Sequence, residues 1–105
     1  MRKQFQLREY TLKPGEMAEW LEEWQNQIVP LRKQFGFRVI GAWTVEDTDQ
    51  FVWILAYDGP TSWEEADADY YQSPERKAIT PDPARHLLHR QVRMVTGVAM
   101  QPGSD

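Results

Sequence analysis

The stretch Phe37-Arg38-Val39-Ile40-Gly41-Ala42-Trp43-Thr44-Val45, followed by Gln50-Phe51-Val52-Trp53-Ile54-Leu55-Ala56-Tyr57, decides the fold. Both segments are rich in β-branched and aromatic residues, and Glu46-Asp47-Thr48-Asp49 between them is polar, so the spacing predicts a hairpin. A register with Trp43 opposite Trp53 puts the odd-numbered positions on one face: Phe37, Val39, Trp43, Val45, Phe51, Trp53, Leu55 and Tyr57. The even face then carries Ile40, Ala42, Val52, Ile54 and Ala56, with Arg38 and Thr44 at its margins. An antiparallel sheet with one wet face alternates apolar and polar residues. This hairpin is apolar on both faces.

Outward from the hairpin, Gln4 to Leu12 reads as a first strand stopped by Pro14-Gly15, with Phe5, Leu7 and Glu9 on one face and Gln6, Arg8, Tyr10 and Leu12 on the other. Between this strand and the hairpin, Met17, Trp20, Leu21, Trp24, Ile28, Leu31 and Phe35 recur at helical spacing and form one stripe, which Gly36 ends. Pro30 falls inside that span and predicts a kink or break. Beyond Asp58-Gly59-Pro60, the run Ser62-Trp63-Glu64-Glu65 fits a capping box opening a second helix to about Gln72, with Trp63, Ala66 and Tyr70 inward. Ser73-Pro74 begins a short further helix, Thr80-Pro81-Asp82-Pro83 is loop, and a last strand covers about Leu87 to Val98. The order is β-α-β-β-α-β, an α+β, ferredoxin-like antiparallel sheet in a single domain over residues 1–100, with a frayed tail at 101–105.

In this pattern the helices cover one face of the sheet. Four Phe or Trp side chains on the uncovered face would expose about 600–1,000 Å², against roughly 300–600 Å² for a monomer's largest patch. A second sheet is the simplest cover, which predicts a homodimer with an internal barrel. The competing expectation is that the extra helix and Pro-rich loop cover that face within one chain.

Composition narrows the function classes. The net charge of −4 argues against a general nucleic-acid binder. The late cluster of Arg85, His86, His89, Arg90 and Arg93 reads as a solvated strand edge. The 105 residues include no cysteine, which excludes disulfides, zinc-thiolate sites, Fe–S clusters and thiol nucleophiles. Met1-Arg2-Lys3-Gln4-Phe5 holds no apolar signal core, and no apolar run is long enough to span a bilayer, so a cytoplasmic protein without membrane partners is expected. There is no Gly-rich phosphate loop, nucleophile elbow or HExxH motif.

Arg8-Glu9-Tyr10-Thr11-Leu12-Lys13-Pro14-Gly15, then Trp24, Pro30-Leu31-Arg32, Gly36, Gly41-Ala42-Trp43-Thr44, Trp53, Tyr57-Asp58 and Ser73-Pro74-Glu75, together resemble the NIPSNAP family. The resemblance implies a ferredoxin-like fold assembled as a dimeric α/β barrel, with no firmly assigned activity. Its wider set of dimeric barrels includes cofactor-independent monooxygenases, haem-degrading enzymes and small-molecule isomerases. The sequence departs from the family pattern at Asp47-Thr48-Asp49, where a turn glycine is usual, and at Arg76, where Trp is frequent.

The residues themselves suggest a pocket. Arg8 could hold an anionic group with Tyr10 donating a hydrogen bond, or could snorkel near a strand end beside a core tyrosine. Trp24, Trp53 and Tyr57 could line an aromatic pocket, or be core. His89 could move protons, or pack at an interface. Glu9 suits a salt bridge to Arg90 or Arg93. His86 and His89 point apart on a strand and do not make a metal pair. The expected function is a homodimer binding a small hydrophobic or aromatic molecule, with no cofactor. Cofactor-independent oxygenation or isomerisation would use His89 and Tyr10 as catalytic groups and Arg8, Trp24, Trp53 and Tyr57 for binding. The alternative is a non-catalytic interaction module.

Overall fold

The computed structural model describes residues 3–100; the tail at 101–105 lies outside them. Four antiparallel strands, β1 (Gln4–Leu12), β2 (Phe37–Thr44), β3 (Gln50–Tyr57) and β4 (Leu87–Thr96), pair in the order β2-β3-β1-β4. With the helices between them this is the ferredoxin-like arrangement expected from the sequence. β1 and β3 form the central pair, and one face of the sheet is roofed by helices.

The roof is built from α1 (Met17–Glu23), a π-helical turn (Trp24–Ile28), α2 (Val29–Gln34), α3 (Trp63–Gln72) and α4 (Pro74–Lys77). Pro30 does not break the first helix. The backbone widens into the π-turn just ahead of it, and Pro30 sits in the first turn of α2. A π-turn is one of the established ways a helix accommodates an interruption of its hydrogen-bond ladder. Gly36, at φ +91°, stops α2. Ser62 Oγ accepts from Glu65 N–H at 3.1 Å, the serine half of the expected capping box, and Ser73 Oγ accepts from Arg76 N–H at 3.0 Å where the short further helix was expected to begin. A 3₁₀ turn, Pro83–His86, precedes β4 where only loop and strand were expected, and Asp82 caps it. In the hairpin turn Asp47 takes φ +59°, a left-handed conformation that aspartate tolerates in place of glycine. Among the described residues no helix is long and apolar enough to cross a membrane.

The hairpin register corrects the sequence reading. Phe37 pairs with Tyr57 and Val39 with Leu55, but beyond a bulge at Ile40–Gly41 it is Ala42 that faces Trp53 and Trp43 that faces Val52. One inserted residue moves every later side chain to the other face. Phe37, Phe51, Trp53 and Leu55 are therefore buried under the helices, whereas Trp43 and Val45 point away from them and are exposed. The uncovered face carries rows such as Trp43–Val52–Glu9 and Gly41–Ile54–Leu7. It is still apolar, through Leu7, Val52, Ile54 and Trp43 rather than through Trp53. The covered face closes on Trp20, Trp24, Phe51 and Trp53, packed edge to face at centroid distances of 5.1–5.7 Å.

Candidate functional site

The most unusual part of the interior is ionic. Arg8 projects from the middle of β1 onto the helix-covered face, in the row Ala42–Trp53–Arg8–Val92, and is 1% exposed. Arg32 reaches the same region from α2 and is also 1% exposed. Both converge on Asp67 of α3: Arg32 Nη1 donates to Asp67 Oδ1 at 2.7 Å and Arg8 Nη2 at 3.3 Å. Burying a charge without a partner is costly, so Asp67 is what allows both guanidiniums to be inside.

Arg8 is fully engaged. Its Nε donates to Gln6 at 2.6 Å, and its Nη1 donates to Tyr10 Oη at 2.8 Å and Tyr71 Oη at 2.9 Å. Burial works against its charge, but the phenols of Tyr10 and Tyr71 and the Asp67 carboxylate outweigh it and raise its pKa. Arg32 instead stacks on the Tyr70 ring, 3.9 Å from the centroid, and its Nε has no partner. Asp67, Tyr70 and Tyr71 share a face of α3 through i, i+3 and i, i+4 spacing. Burial raises the Tyr70 phenol. For Tyr71, burial acts in the same direction, but the guanidiniums of Arg8, Arg32 and Arg90 win and hold the phenol below its ordinary value.

Next to this cluster lies an inner cavity of about 20 Å³ lined by Tyr10, Trp20, Trp53, Tyr70, Tyr71 and Arg32, among others. A water needs roughly 10–15 Å³, so the space admits a water or a small polar head but no ring. Trp20 Nε1, Trp53 Nε1, Tyr70 Oη, Arg32 Nε and Arg76 Nε, all on residues lining it, are buried without a hydrogen-bond partner. Tyr71, Arg76, Ala84 and Arg90 line both this cavity and an open cleft of about 510 Å³ that also includes Ile79, Thr80 and Asp82. The Ser73 cap starts α4 so that Arg76 reaches the cleft, where its Nη2 meets Asp82 at 3.0 Å.

The structure brings four of the six expected site residues together on the covered face. Arg8, Tyr10 and Trp53 adjoin the cluster, and Trp24 packs on Trp53 behind it. Tyr57 stands apart, between Phe37 and Trp63 at the other end of the sheet, with its hydroxyl 2.8 Å from Thr61 Oγ1. His89 pairs with Thr11 and so shares the uncovered face with Glu9, opposite to Tyr10. The side chains of His89 and Tyr10 therefore lie on opposite faces of the sheet, since adjacent residues on β1 alternate, while both residues border a small space of about 90 Å³ beside Glu9 and Val52. Glu9 pairs with Arg93, as the sequence suggested. Arg32, Asp67 and Tyr71 were not singled out by the sequence reading. The available signals were an arginine at the edge of the α1–α2 stripe and an Asp67-Tyr70-Tyr71 face on a helix otherwise poor in apolar residues.

A second polar cluster joins α1 to the 3₁₀ turn. His86, 2% exposed, meets Glu16 through Nδ1 at 2.6 Å and Glu23 through Nε2 at 3.1 Å. Arg85 donates to Glu19 at 3.0 Å and Glu23 at 2.8 Å. Potential ligand atoms of Glu19, Glu23 and His86 lie within 4.8 Å of one another. Both imidazole nitrogens and both carboxylates are already engaged, however, so the cluster reads as an ion-pair network.

A family model described as NIPSNAP matches residues 5–102. A NIPSNAP domain protein from Burkholderia xenovorans has a similar structure, with 23% identity, a TM-score of 0.79, and 94% of this chain and 98% of the other covered. A NIPSNAP family protein from Agrobacterium tumefaciens gives 17% identity and a TM-score of 0.83, covering 95% and 92% of the two chains. A candidate antibiotic biosynthesis monooxygenase from Nitrosomonas europaea gives 12% identity and a TM-score of 0.66, covering 91% and 99%. A comparison with curated protein sequences gives no match.

Proposed function

The chain belongs to the NIPSNAP family, and on that footing we propose that it is a cytoplasmic homodimer binding a small aromatic or hydrophobic molecule, one per subunit. The observation that carries the binding half is the cleft walled by Tyr71, Arg76, Ile79 and Arg90, which adjoins a cavity whose lining residues carry buried polar atoms without partners. Buried polar groups in proteins are nearly always satisfied, by protein, water or ligand, so the unpartnered polar atoms on the residues that line the cavity favour a polar occupant there. The cleft volume falls in the usual range for small-molecule sites. The residues first expected to form an aromatic chamber, Trp24 and Trp53, are closely packed, and the ligand body belongs in the outer cleft instead.

The dimer half is supported by the uncovered sheet face. Trp43 is 53% exposed and Ile40 47%, beside Leu7, Val52 and Ile54. Two such faces stacked would remove them from water. If the bound molecule is transformed, cofactor-independent oxygenation is the reaction favoured by the likeness in fold to candidate monooxygenases, which is analogy only. The alternative of an interaction module draws on the exposed Leu88, Val92 and Met94 of β4.

Sedimentation at micromolar concentration tests the dimer: a two-subunit species is expected, and a monomer would refute it. A thermal-shift screen of small aromatic molecules tests the pocket, with hits expected to lose their effect in Ile79→Asp.

A further inference from the structure

We infer that the ligand of the cleft is a small planar organic acid whose carboxylate docks among Arg32, Arg76, Arg90 and Tyr71. This rests on the pocket reading above and deepens it. The charge balance carries it first. Three guanidiniums, Arg32, Arg76 and Arg90, and the Lys77 ammonium line the cavity and cleft, answered by Asp82 and by Asp67, which Arg32 shares with Arg8. Among the described residues Arg90 makes one side-chain hydrogen bond, to Tyr71 Oη at 3.3 Å, and no salt bridge. The site therefore holds more positive charge than its own residues neutralise.

The donor set carries it second. Arg32 is wholly buried, lines the cavity, and keeps Nε free of any partner; Arg76 Nε is in the same state. Guanidinium donors lie in a plane and match the two oxygens of a carboxylate. Size carries it third. The inner cavity has room for about one water-sized group, which suits an oxygen of an anionic head, while the outer cleft, with Ile79, Ala84 and the Tyr71 ring in its wall, has room for a flat apolar body. The lowered pKa of the Tyr71 phenol reports the same positive field. A neutral aromatic would leave that field uncompensated. A bare inorganic anion would leave the apolar wall without an occupant.

The test is calorimetric titration of the whole chain with phenylacetate and indole-3-acetate, each against its primary amide, and with inorganic phosphate. The acids should bind about tenfold or more tightly than the amides, the order expected for charge-assisted hydrogen bonds. Arg90→Gln, at an exposed position that should fold normally, should lose most of that preference, the acid's affinity falling toward that of its amide. Arg76→Gln is the second variant, with its melting temperature as the control for folding. Amides binding as tightly as acids would overturn the anion and leave the pocket standing. Phosphate binding as tightly as the acids would overturn the organic body. Neither acids nor amides binding at millimolar concentration would overturn both readings.

Discussion

Trp43 and Trp53 lie on opposite faces of one hairpin, although they are an even number of residues apart and near neighbours across it. The bulge at Ile40–Gly41 sets Trp43 against Val52 and Ala42 against Trp53. Trp53 is 1% exposed under the helices, and Trp43 is exposed on the sheet's other side. The two tryptophans should therefore fail differently. Trp53→Ala removes a core aromatic and should cost roughly 3–5 kcal/mol of stability, read by chemical denaturation. Trp43→Glu should keep the monomer fold and melt within a few degrees of wild type, but shift sedimentation toward a single subunit. If Trp43→Glu still dimerises fully, the uncovered face is not the interface.

Among the described residues, Asp67 is the one carboxylate shared by two buried guanidiniums. Asp67→Asn should destabilise by about 3–5 kcal/mol, the usual result of stranding a buried charge. Adding Arg8→Met to that variant should restore part of the loss, since one stranded charge is then gone. Additive losses in the double variant would show that Arg8 and Asp67 are not energetically coupled.

The His86 network should give stability a two-sided pH dependence. Burial lowers the His86 pKa, but its hydrogen bonds to Glu16 and Glu23 outweigh this and raise it above its ordinary 6.5. A raised folded-state pKa stabilises fully below the unfolded value and is lost as the pH climbs through the folded one. Glu23 is lowered from 4.5, first by its hydrogen bonds from Arg85, against burial, and then by His86. Its contribution is present above the ordinary carboxylate value and disappears as the pH falls through the lowered one. Melting temperature should therefore peak between these limits. His86→Gln should flatten the alkaline limb while leaving the acid limb largely in place.

Tyr70 and Tyr71 are adjacent yet displaced in opposite directions, upward by burial and downward by three arginines. Ultraviolet titration should show tyrosinate forming first at Tyr71. Tyr71→Phe should remove that earliest phase, and Arg90→Gln should delay it. An unchanged titration in Tyr71→Phe would mean that the guanidinium field does not act on that phenol.

The strand and helix order, the Ser62 cap, the helix start at Ser73-Pro74 and the stop at Gly36 could all be read from the chain, because each rests on residues within a few positions of one another. The faces of the hairpin could not. A strand alternates with period two, so an inserted residue at Ile40–Gly41 leaves the composition unchanged while inverting every later position of β2. Gly41 is the local trace of it: a β-carbon there would lie 2.7 Å from the Trp43 ring, which folds back across the glycine. The candidate site was half legible. Arg8 and Tyr10 stood out as polar groups on a central strand, but their partners come from α2 and α3, and only the packed helices reveal that Arg32 and Asp67 meet.

The π-turn at Trp24–Ile28 has a consequence for how this domain can vary. A helix turns about 100° per residue, so losing the extra residue would rotate everything beyond it by that angle. Trp20 and the acidic partners of His86 would stay where they are, while Arg32 would swing away from Asp67. The turn works as a phase coupling between two halves of one helix, each keyed to a different cluster. Point substitutions at its exposed positions, Gln25, Asn26 and Gln27, should be absorbed, whereas a single-residue deletion should uncouple the two ends at once.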